Sequence, residues 1–181
     1  MKYIQNAFPD NHNSHYQAFQ KAKKLNLNVT IHAGEVGSIS NILHAVEHYN
    51  ASRIGHGYRV IEDKAIMDRM KELNIHFEVC PTSSVETGAW MYKQCKAGKT
   101  VWTDHPTIHM LDHGMNVGLN SDDPAVFDTS LTWQFRIAVL KMGLKNEQLI
   151  HMTKNCLEAA FLCNEEKIVH RKAIEKFEIS V

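Results

Sequence analysis

Four short apolar runs, "LNVTIH", "SRIGHG", "NIHFEVCP" and "MNVGLNSDDP", recur along the chain, and each gap between them holds a stretch of helical spacing. Runs this short, bounded by glycine or proline, read as strands rather than helices. Strands alternating with helices pair in parallel through right-handed crossovers. Such a sheet is either doubly wound or closed into a barrel. No GxGxxG follows any of the runs, so a dinucleotide-binding fold has no support.

The intervening pattern predicts the helices. Residues 14–24 place Tyr16, Phe19 and Ala22 at helical spacing, and residues 40–50 place Ile42, Leu43, Val46 and Tyr49 on one face with Ser40 as the N-cap. Asp63 is placed to cap a helix carrying Ile66, Met67, Met70 and Leu73. Pro81 reads as the stop of the third strand, and residues 82–104 as an elaborated loop. Helices are expected at 105–113, 130–142, 147–162 and 165–177.

At 181 residues the chain suits one domain with a real core. Twenty basic and twenty acidic residues cancel, which argues against a nucleic-acid or membrane-surface partner held by bulk charge. No 18-residue apolar run provides a transmembrane segment, and "MKYIQNAFPDNHNSH" has no apolar core of a signal peptide. Cys80, Cys95, Cys156 and Cys163 form no CxxC, so they read as reduced thiols and a cytoplasmic setting is expected.

Chemistry concentrates where the strands end. The ends read His32-Ala33-Gly34-Glu35, Gly55-His56-Gly57, Cys80-Pro81-Thr82-Ser83 and Ser121-Asp122-Asp123-Pro124. In a (β/α) barrel the carboxyl ends of the strands converge on one mouth, where catalysis sits. Histidines with an aspartate form a ligand set suited to zinc, and a nearby Glu or His could act as acid or base on water. Taken singly, each has a plainer reading: a structural histidine, an Asp-Pro turn, a helix-capping glutamate. Their joint placement favours a site. His105, His109 and His113 fall on one helix face, the outer pair about 12 Å apart, and read as a solvated face. His44 and His48 read likewise, and Cys80 as core.

"HAGEVGS", "RIGHGYR", "HFEVCPTSS", "TGAW" and "LNSDDP", in that order and at these spacings, resemble the adenosine deaminases. The resemblance implies a TIM-type (β/α)8 barrel that uses one zinc per complete site to hydrolyse adenosine and 2'-deoxyadenosine to the inosines and ammonia. It implies that His32 and Asp122 are zinc ligands and that Glu35 donates a proton to purine N1. His56 would orient and help deprotonate the attacking water, and Asp123 would hydrogen-bond N7.

The family also takes two ligands from an HxH after its first strand, and this chain contains no HxH; His12 and His15 form HxxH. The base-contacting glycine and the early acidic residue near the ribose are absent as well. The chain therefore reads as the C-terminal half of a barrel, strands five to eight plus C-terminal helices. That is one domain over 1–181, incomplete at its N-terminal side. Half a barrel is expected to present two open strand edges that invite association, and two ligands hold zinc weakly. An AMP or other purine deaminase of the same superfamily, and a non-catalytic truncated partner protein, are the alternative readings.

Overall fold

The computed structural model describes residues 14–91 and 94–179; His12 of the HxxH stretch lies outside them. Four parallel strands, β1 (Thr30–Ala33), β2 (Arg53–His56), β3 (His76–Val79) and β4 (Val117–Leu119), form one sheet in chain order. The register sets His32 beside Gly55 and Gly55 beside Glu78, which in turn lies beside Gly118. Every strand starts at one end of the sheet, so all four carboxyl ends lie together at the other.

Strand alternation sorts the side chains. Ile54, Phe77, Val79 and Val117 are almost wholly buried and share one core with Ile42, Ala45, Met67, Met70 and Met110. Those last five come from α2 (Ser40–Glu47), α3 (Lys64–Glu72) and α5 (Pro106–Asp112). The opposite face of the sheet carries polar residues: Arg53 pairs with Glu78 at 2.8 Å, and Thr30 Oγ1 donates to Glu78 at 2.9 Å. Arg53 also lies 3.9 Å from the centre of the Phe161 ring, a cation–π contact at the amino-terminal end of the sheet.

Most helix limits follow the sequence pattern: α1 is Ser14–Lys24, α6 Leu131–Leu140, α7 Asn146–Ala159 and α8 Asn164–Ile179. Asp63 caps α3 as expected, its Oδ1 accepting from Ala65 N–H at 2.8 Å and Ile66 N–H at 3.3 Å. Asp63→Ala should therefore cost about 1 kcal/mol, read as a lower urea midpoint with unchanged slope. A change under a few tenths would show that the cap is idle.

Four expectations need correction. Ser40 is the first residue of α2 rather than its cap, because Ser38 Oγ already accepts the Ser40 N–H at 3.2 Å. Residues after Pro81 are not loop: Pro81 opens helix α4 (Pro81–Glu86), since a proline at the first helical position lacks only an N–H that would be unpaired anyway. The histidines of α5 do not form a solvated face. His105 is fully buried at the N-cap, while His109 pairs with Asp104 at 2.9 Å and His113 with Asp68 at 2.7 Å.

The fourth correction concerns the edges. Asn116 O and Asn120 N bond to β3, so in the parallel ladder Val117 and Leu119 direct their backbone groups away from it. Helix α7 meets them there. Asn155 Nδ2 donates to Val117 O at 3.1 Å, and Cys156 Sγ packs against Gly118 in the same strand. The β4 edge is thus partly covered, and β1 is the other edge strand. No helix among the described residues is long and apolar enough to cross a membrane.

Candidate active site

The turns after the strands bring three of the residues singled out from sequence to one point. His32, His56 and Asp122 each offer a ligand atom, and these atoms all lie within 4.8 Å of one another. His32 is the penultimate residue of β1 and is exposed, its ring centre 5.0 Å from that of His56. The approach depends on Gly55, because a Cβ there would sit 3.0 Å from the His32 ring. His56 closes β2 with a left-handed backbone, φ 64°, and Asp122 follows β4 with φ 58°. Each such conformation costs a non-glycine residue about 1–2 kcal/mol, and strain of this kind gathers at working sites.

His56 is 3% exposed, and its Nε2 lies 3.7 Å from Glu35 Oε2 and 3.9 Å from Asp122 Oδ2. Burial holds its pKa below the usual histidine range against the upward pull of the two carboxylates, so the ring is kept neutral. Its Nδ1 is buried with no hydrogen-bond partner among the described residues. A neutral imidazole with a free nitrogen, a second imidazole and a carboxylate make a donor set that fits zinc. The cleft is walled further by Glu78, Cys80, Asn120 and Ser121.

The sequence model of the family described as adenosine deaminase matches residues 5–177. The chain belongs to the adenosine deaminase family. It is 35% identical over 153 residues to the adenosine deaminase of Bos taurus and 39% identical over 153 residues to that of Xenopus tropicalis. Each match covers 84% of this chain and 40% of that protein. The chain therefore spans about two fifths of the length of these relatives. Among solved structures, adenine deaminase from Arthrobacter aurescens superposes with a TM-score of 0.81 at 28% identity, over 94% of this chain and 50% of that one. An amidohydrolase from Burkholderia ambifaria, solved with bound Zn, superposes at 0.80 and 22% identity, over 95% of this chain and 47% of that one. The latter shares the fold.

The family is metal-dependent, and this member gathers a donor set able to serve a metal. Three site residues named from sequence meet there, Glu35 stands at its rim, and exposed Asp123 lies one residue beyond Asp122. His56, read through the resemblance as an acid–base group, lies within reach of the point shared by His32 and Asp122. One contact escaped the sequence reading. Ser83 Oγ donates to Asp122 Oδ2 at 2.5 Å. Taking Pro81 as a helix start would have revealed it, because Ser83 then falls in a first turn directly above the strand end. Cys80 is 5% exposed, and burial pushes its thiol up to about 12, which suits core and not a nucleophile.

Proposed function

We propose that this chain carries the C-terminal-half share of a zinc-dependent purine nucleoside deaminase site, hydrolysing adenosine and 2'-deoxyadenosine to the corresponding inosines and ammonia. The observation that carries the reading is the convergence of His32, His56 and Asp122 within 4.8 Å, with Glu35 3.7 Å from His56. In this reading His32 and Asp122 are metal ligands, Glu35 and His56 are catalytic, and Asp123 binds substrate.

Zinc, when bound, supplies the Lewis acidity that makes water a nucleophile near neutral pH. The rest falls to side chains. Glu35 delivers a proton to purine N1, which draws electrons from C6 and opens it to attack. His56, kept neutral by burial, accepts the proton that the attacking water sheds. Asp123 donates a hydrogen bond to N7 through its carboxyl O–H and holds the ring in register. His56 passes that proton to the amino group, which leaves C6 as ammonia, and the hydroxyl proton left on C6 returns to Glu35 as the carbonyl forms. Curated relatives named adenosine deaminase, at 35% and 39% identity, favour nucleoside over nucleotide.

Residues 1–181 are read as one domain equivalent to strands five to eight of a (β/α)8 barrel, with the β1 edge as its surface for association. Four free cysteines suit the reducing cytoplasm. Two ligands hold zinc more weakly than four. The purified chain is therefore expected to retain well under one zinc per molecule after dialysis and to leave adenosine undeaminated. Elemental analysis and the adenosine absorbance change measure both. Added zinc should still move the His32 and His56 imidazole resonances, and His32→Ala should abolish that response. Imidazole resonances indifferent to zinc would sink the site, while tightly held one-to-one zinc would sink the claim of weak binding.

A further inference from the structure

The first turn of α4 is held from three sides by buried side chains. Cys80 N–H donates to Tyr58 Oη at 2.7 Å. Thr82 N–H donates to Gln134 Oε1 at 3.3 Å, and Gln134 Nε2 returns a hydrogen bond to Thr82 Oγ1 at 2.7 Å. Ser84 Oγ donates to Pro81 O at 2.8 Å and lies 2.8 Å from His105 Nε2. The single hydroxyl proton of Ser84 is committed to Pro81, so His105 is the donor between them and carries its proton on Nε2. The other ring nitrogen agrees, accepting the Thr107 N–H at 3.3 Å.

Ser84, His105, Thr107 and Gln134 are all fully buried. Polar groups so placed cost stability unless each finds a partner, and apolar side chains would pack α4 as firmly. What apolar packing lacks is direction. Between Thr82 and Ser84 stands Ser83, whose hydroxyl leaves the turn to donate to Asp122 Oδ2.

We propose that His105 is a positioning residue for the Asp122 carboxylate. Through Ser84 it sets the rotation of the α4 first turn, and that rotation fixes where Ser83 grips Asp122. A carboxylate with one oxygen held by a hydroxyl presents a fixed orientation to a cation, and removing such outer partners costs about 10–100-fold in metal affinity. The inference rests on reading Asp122 as a metal ligand.

Two substitutions separate positioning from helix capping. His105→Asn keeps an acceptor for Thr107 N–H and gives up the donor to Ser84. His105→Gln keeps an amide N–H near the place of Nε2–H and gives up the cap. The readouts are the backbone amide resonances of Ser83 and Asp122 without metal, and zinc titration followed by the His32 and His56 imidazoles. The Asn variant should shift both amides and weaken zinc about 10–100-fold, while the Gln variant stays close to the parent in both. Parent-like amides and affinity in the Asn variant, or equal losses in the two variants, would overturn the proposal. If the parent shows no response to zinc, the metal reading has failed and the amide shifts alone decide the positioning claim. Should either His105 variant not fold, Ser84→Ala removes the same link and is expected to behave as the Asn variant; a parent-like result there overturns it.

Discussion

Phe77→Ala is expected to strip the chain of most of its stability and bring it to the margin of unfolding at room temperature. Phe77 sits at the centre of β3, fully buried, in the core shared with Ile54, Met70 and Val117. Truncating a buried phenylalanine to alanine costs about 3–5 kcal/mol, part lost transfer energy and part cavity. Ordinary domains have only about 5–15 kcal/mol in total, and a four-stranded sheet with one edge strand open stands low in that range. The ring also supports the site. A Cβ on Gly57, which has φ 70°, would fall 2.3 Å from it, so Phe77 packs directly under the turn that follows His56. Loss of the ring should therefore release His56 as well as the sheet. Urea unfolding followed by circular dichroism measures the first effect, and the His56 imidazole resonance the second. A loss below 1 kcal/mol would mean that the core is organised elsewhere.

Acid should destabilise this protein well before its carboxylates titrate. Burial pushes the His105 pKa down to about 3 in the folded chain, with the nearby charge of His109 acting in the same direction. The ring is enclosed by Tyr58 and Trp90 and bonded to Ser84 and Thr107; His109, on the same helix, is paired to Asp104. Unfolded, His105 titrates near 6.5. Between pH 6.5 and 3 the unfolded chain binds the proton and the folded chain does not, so stability falls as pH falls through that window. The full span corresponds to about 5 kcal/mol. His76, also buried, has its pKa lowered and adds a loss of the same sign. Urea midpoints at pH 7.5, 5.5 and 4.5 should decline steadily, and His105→Gln should flatten the decline. Equal slopes in parent and variant would show that another group is responsible.

Much of this protein is legible in its sequence because the physics is local. The period-two and helical patterns place β2, β3 and α3 within a residue or two, and Asp63 caps its helix as its position before Ile66 implies. Motif order alone leads to His32, Glu35, His56, Asp122 and Asp123. Local rules fail where one residue serves two purposes. Pro81 can stop a strand or start a helix, and nothing within five residues decides between them. His105 reads as one of three evenly spaced polar residues until Ser84 and Tyr58 are known to enclose it.

The sequence by itself determined the parallel α/β class, the strand ends at which ionisable residues would stand, and the family. Those follow from periodicity, from glycine and proline, and from short spacings along one chain. The tertiary structure alone decided that His56 shares a point with His32 and Asp122, that α7 covers the β4 edge, and that α4 delivers Ser83 to Asp122. Each is a contact between residues far apart in sequence, whose distance and direction depend on how the strands stack and twist, and neither is written in local propensity.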